Sequence, residues 1–86
     1  MEAKQSAGVK LLRLPAVLEK TGNKRSTHYK RVTAGLFTCA VKCGERVAAW
    51  PESEVEAINL ARVAGKSDHE IKELVAKLET DRMALA

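Results

Sequence analysis

One glycine between two short periodic stretches limits this chain more than any other feature. The segment is PAVLEKTGNKRSTHYKRVTAGLF, residues 15–37, and the glycine is Gly22. Pro15 fits the first position of a helix, where its missing N–H leaves no bond unmade. PAVLEKT then reads as a short helix with Val17 and Leu18 facing inward. Gly22 suits the left-handed residue that follows a helix end. Three residues later a second helix begins at Arg25 and runs to Gly35. At about 100° per residue, Arg25, His28, Tyr29, Val32 and Leu36 share its inner arc. Ser26, Thr27, Lys30 and Ala34 share the outer arc, with Lys24 and Arg31 at its edge. Two short helices around a tight glycine-containing turn predict a helix-turn-helix.

The period then changes. AVKCGERVAAW carries β-branched Val41 and Val47 on either side of Gly44-Glu45. A glycine at the first central position of a two-residue loop predicts a type II′ hairpin. That turn sets Cys43 against Arg46, Lys42 against Val47 and Val41 against Ala48. The hairpin is expected to act as a wing, with Val41 and Trp50 anchoring its base and Lys42 and Arg46 at its tip. Two strands alone are marginal, so the wing has to lean on the helices. LLRL, residues 11–14, reads as a short extended lead-in.

Two more helices follow. In PESEVEAINLARVAG, Ser53 and Glu56 have capping-box spacing, Pro51 stands just before them and Gly65 closes the stretch. Val55 and Ile58 share its inner face with Ala61 or Arg62, and Trp50 and Leu60 flank it. In SDHEIKELVAKLETDRMALA, Ser67 and Glu70 form a second capping box. Ile71, Leu74, Val75, Leu78, Arg82 and Leu85 line one stripe. That stripe either folds back on the other helices or pairs with a second copy, and intrachain packing is the expectation. The organisation expected is a tail at 1–10, a winged helix-turn-helix at 11–65 and an amphipathic helix at 66–86, a mainly α fold.

Charge separates the two halves. Residues 1–50 carry ten Lys/Arg and three Asp/Glu, net +7, whereas residues 51–86 carry five and eight, net −3. A basic half beside an acidic one points to a polyanion partner for the first. An 86-residue chain with only three aromatic residues (Tyr29, Phe37 and Trp50) leaves little room for a buried catalytic cleft. It has no glycine-rich phosphate loop, no paired carboxylates in the basic half and no nucleophile–base set, so no enzyme is expected. Cys39 and Cys43 make no disulfide framework, which suits a reducing compartment. With His28 and His69 they supply four metal-ligand types, but no His pair follows at finger spacing, so neither metal nor cofactor is expected. MEAKQSAGVK has no apolar core of a secretory signal and no apolar run is long enough to span a membrane, so neither targeting nor membrane contact is expected.

The order helix, turn, helix, hairpin, helix resembles the AlpA-type prophage regulators, small winged-helix proteins akin to phage excisionases and the MerR-like superfamily. The residues that carry the resemblance lie within about 11–60: RLP at the start, TG at the turn, RST-Y-R in the second helix, AG-F at its end, G-R--AW in the wing and ESEV opening the third helix. The resemblance implies a cytoplasmic, DNA-binding regulator of a prophage or integrated element, or an excisionase that bends attachment-site DNA for an integrase. The chain departs from the family at Asn23 and Lys24, where an apolar residue and a capping Ser are usual. It also departs at His28, where Ile is common, and at residues 37–40, which lack the family's prolines.

In such a fold the second helix enters the major groove of double-stranded DNA. Ser26, Thr27, Lys30 and Arg31 are the expected contacts to bases and phosphates, with Lys24 beside them. Arg25 is expected to clamp a phosphate, and Tyr29 to sit in the core with its hydroxyl reaching a phosphate. Arg46 is the expected backbone contact of the wing, with Lys42 next to it. Homodimerisation or cooperative assembly on repeated sites, and an integrase partner, stay open. A protein-interaction module with a basic face is the reading from another class.

Overall fold

The computed structural model describes residues 9–85, apart from the Leu85 side chain; most of the expected 1–10 tail therefore lies outside the described residues. The elements are β1 (Leu11–Arg13), α1 (Leu14–Thr21), α2 (Arg25–Thr33), β2 (Val41–Lys42), β3 (Ala48–Pro51), α3 (Glu52–Val63) and α4 (Asp68–Leu85). Together they make a small winged helix-turn-helix with an added C-terminal helix.

The lead-in is a strand. β1 pairs antiparallel with β3, Leu12 opposite Trp50, and β2 pairs with the other edge of β3. β3 is thus the central strand, and Ala49 and Trp50 on it are both buried. The chain passes from β1 straight into α1, with Pro15 in the first turn, and Gly22 ends that helix at φ 74°, its N–H donating to the Leu18 carbonyl. A Cβ at that angle would strain the backbone.

The hairpin does not close as the glycine suggests. Val41 stands opposite Ala49 and Lys42 opposite Ala48, one residue from the expected register. The Cys43 N–H donates to the Val47 carbonyl at 2.8 Å, which leaves a three-residue tip, Gly44-Glu45-Arg46. Gly44 is not among the positive-φ glycines, so no type II′ turn forms. A one-residue slip exchanges the faces of a strand. The observed pairing sets Val41 beside buried Ala49, where the expected one would set it beside exposed Ala48.

α3 also starts earlier than its sequence suggests. Pro51 ends β3 and is the cap residue, and the Glu52 N–H is taken by the Lys10 carbonyl at 2.7 Å. Ser53 therefore lies inside the first turn and forms no capping box with Glu56. Leu60 faces out at 68 % exposure and does not flank the core. The box at α4 does form: the Glu70 N–H donates to Ser67 Oγ at 3.2 Å and the Ser67 N–H to Glu70 Oε1 at 2.9 Å. Those bonds hold the Glu70 carboxyl below its ordinary pKa.

Leu12, Val17, Phe37, Trp50, Val55, Ile58, Ala61, Ile71 and Val75 form one core, with Leu74 and Leu78 packed against it. Ile71, Leu74, Val75 and Leu78 of the α4 stripe thus pack within the chain. A polar clamp secures its far end. Arg82 grips the buried Glu54 carboxylate through Nε and Nη2, both at 2.7 Å, and Nη2 also donates to the Cys39 carbonyl. Removing one partner of a buried ion pair strands the other's charge. Arg82→Ala is expected to destabilise by roughly 2–4 kcal/mol, less than a fully buried pair because Arg82 keeps some solvent contact. Urea unfolding checks this, and replacing Glu54 and Arg82 together by Leu should recover most of the loss.

Candidate nucleic-acid interface

α1 and α2 are held at their turn by bonds to α3. Lys20 pairs with Glu52 and Glu56 at 3.1 and 3.2 Å, and Asn59 Nδ2 donates to the Lys20 carbonyl. Both carboxylates raise the Lys20 pKa. The turn itself is tightened by Thr21, whose Oγ1 donates to the Val17 carbonyl and accepts from the Asn23 N–H. Lys24 is the cap residue of α2. Neither it nor any neighbour supplies a side-chain cap, and no acid stands in the first turn. The first N–H groups of α2 thus lack the oxygen that a capping Ser would bring.

α2 is turned about 60° from the arc that periodicity suggests, as judged from 3.6 residues per turn. His28 alone lies at the centre of the buried side. Its ring packs edge-on against Phe37 and Trp50, at centroid distances of 4.9 and 4.8 Å. Tyr29 does not enter the core: it is 46 % exposed, with its ring edge on His28 at 5.4 Å. Its phenol stays hydrated, as a hydroxyl without a buried partner requires. Arg25 is exposed as well, while Thr27 and Arg31 are drawn to half-buried positions.

The outward face of α2 therefore consists of Arg25, Ser26, Tyr29, Lys30 and Thr33, with Lys24 at its start. Thr27, Lys30 and Arg31 line an open groove of about 290 Å³ along one flank of the helix, whose opposite wall is Arg62 and Asp68. Lys42 and Arg46 lie exposed on the hairpin, apart from the α2 set. Among the described residues, none of Lys24, Arg25, Lys30, Arg31, Lys42 and Arg46 forms an ion pair. Lys20, Arg62, Lys77 and Arg82 each do. Arg62 was legible only as a candidate for the inner face of α3. Its place at the last turn, facing the flank of α2, depends on how two helices cross.

The described residues bring no three His, Cys, Asp or Glu side chains to metal-holding positions, and no described helix is long and apolar enough to cross a membrane. Cys39 and Cys43 are free and exposed.

A helix-turn-helix, a hairpin wing and unpaired cations on both define the class: a small winged-helix protein. Residues 10–57 match the family described as Prophage CP4-57 regulatory protein (AlpA), and the chain belongs to it. Over 57 residues it is 39 % identical to the uncharacterized protein ORF88 of Enterobacteria phage P4, a stretch that covers 66 % of this chain. The match spans 65 % of that relative, just under two thirds of its length. No solved structure matches the chain.

His28 generates a prediction. It is fully buried, and neither ring nitrogen has a hydrogen-bond partner. Burial pushes the imidazole below its ordinary pKa. The unfolded chain takes up a proton near pH 6.5 that the folded one refuses, so stability is expected to fall as pH drops below about 6.5. His28→Ile removes two unsatisfied polar atoms. It is expected to raise stability by about 1–2 kcal/mol at pH 7 and to flatten the decline toward pH 5. Urea titrations at the two pH values check both effects.

Proposed function

We propose that this chain is a sequence-specific regulator of transcription that binds double-stranded DNA on behalf of a prophage or integrated element. α2 enters the major groove and the hairpin lies on the backbone. The observation that carries this reading is the set of unpaired cations on α2 and the wing, in a chain whose other cations are partly tied up in internal ion pairs. The family's description as a prophage regulatory protein supports it.

The roles follow from position. Ser26 and Thr27, in the first turn of α2, reach base edges, since recognition helices read DNA with their N-terminal residues. Lys24 and Arg25 contact phosphate beside the uncapped N–H groups of the same turn, where the helix dipole favours negative charge. Tyr29 donates its exposed hydroxyl to a phosphate. Lys30 and Arg31 lie further along the helix and contact the backbone on one flank. Lys42 and Arg46 serve the wing.

The binding constant for a short duplex is expected to fall linearly on a log–log plot against salt, with a slope of about −0.9 per phosphate neutralised. Lys30→Ala should weaken binding to all duplexes. Thr27→Ala should change which sequence is preferred, with a loss of about 1–3 kcal/mol on the best one. If Ser26→Ala, Thr27→Ala and Lys30→Ala all leave affinity and preference unchanged, α2 is not the reading helix. Strong bending with cooperative loading on repeated sites would instead place the chain with the excisionases.

A further inference from the structure

The groove beside α2 has a wall that the match to the family does not reach. Arg62 lies near the end of α3, beyond residues 10–57. Its Nη1 makes one long contact, 3.5 Å to Asp68 Oδ1, and Asp68 is itself well exposed. Its Nε and Nη2 have neither a partner nor solvent. These two donors form one edge of the guanidinium, the edge that grips carboxylate or phosphate with two parallel bonds. Lys30 and Arg31 line the same groove, and neither has a carboxylate partner among the described residues. Three cations thus surround a groove that holds one acid. Such a groove is short of negative charge, and Arg62 beside it keeps a buried, unsatisfied donor edge.

We propose that Arg62 binds a backbone phosphate of the duplex that α2 reads, with Arg31 and Lys30 completing the site. The proposal rests on the DNA-binding reading above. An α-helix with its side chains is about 10–12 Å across, and the major groove is about 12 Å wide. A helix that fills the groove therefore presses its flanks toward the phosphate strands, and the Arg62 groove runs along one such flank. Turning the guanidinium about its flexible stem brings the Nε–Nη2 edge out to the phosphate and releases Asp68. Asp68 holds the arginine in place before DNA arrives and repels the phosphate afterwards. Arg62 is then a phosphate clamp supplied by α3, a helix outside the helix-turn-helix and the wing.

The test uses the full chain, the Arg62→Gln and Asp68→Asn variants, and two short duplexes: one enriched by the wild-type chain from a random pool and one unrelated. Arg62→Gln is expected to weaken binding to both several-fold near 0.1 M salt and to make the salt slope shallower by about 0.9, the signature of one lost phosphate contact. Asp68→Asn is expected to tighten binding to both. Wild-type affinity and slope in Arg62→Gln, while the wild type binds, overturn the site but leave the DNA-binding reading standing. A loss confined to the enriched duplex makes Arg62 a base reader and also overturns it. A wild type that binds neither duplex overturns both readings. Should Arg62→Gln fail to fold, Asp68→Asn decides alone, and unchanged affinity there sinks the proposal.

Discussion

The Trp50 indole is the contact on which the arrangement depends. It lies in the central strand, opposite Leu12, so it ties β1 to β3. Its buried N–H donates to the Thr38 carbonyl at 2.8 Å, which fixes the chain leaving α2. Its ring meets the edge of His28 and so sets the rotation of α2. Strand, loop and α2 thus share one side chain. A large aromatic with a single donor suits that task, because its area fills the core while its N–H requires one specific acceptor. The exposed set on α2 follows from it: once His28 points at Trp50, Ser26, Tyr29 and Lys30 must face out.

Charge is divided along the same line. The acidic second half of the chain is largely committed internally. Glu54 holds Arg82, Glu52 and Glu56 hold Lys20, and Glu79 accepts from the Cys39 N–H. These bonds fasten α1, the loop before the wing and α4 to α3. The cations of α2 and the wing receive none of them. Acids thus brace the scaffold, while the bases of α2 and the wing stay open. Arg62 stands at the border between the two groups, with one long contact to Asp68 and two donors unmet.

Features governed by neighbours in sequence were legible in advance. Gly22 and Gly35 both take positive φ where the helices end, and Ser67 and Glu70 cap α4 reciprocally. The helix-turn-helix and the apolar stripe of α4 followed from periodicity, whereas the packing of that stripe within the chain was one of two readings it allowed. Features decided by tertiary contacts were not legible. Ser53 had capping-box spacing, but β3 runs directly into α3 and the Lys10 carbonyl takes the first N–H. The wing register depends on β3 being pinned by β1, which Gly44 cannot report. The wheel for α2 treated His28 and Tyr29 as equals. Packing against Phe37 and Trp50 admits only the smaller ring, and the phenol is left in water. Tyr29, Thr27 and Arg31 therefore stand at different depths from those their spacing implied.

The central claim is that the outward face of α2 reads duplex sequence. Repeated selection of bound duplexes from a random pool tests it most directly. Convergence on one short sequence is expected, with a changed sequence when Ser26→Ala, on that outward face, replaces the wild type in the selection. A bound pool as diverse as the starting one would contradict it.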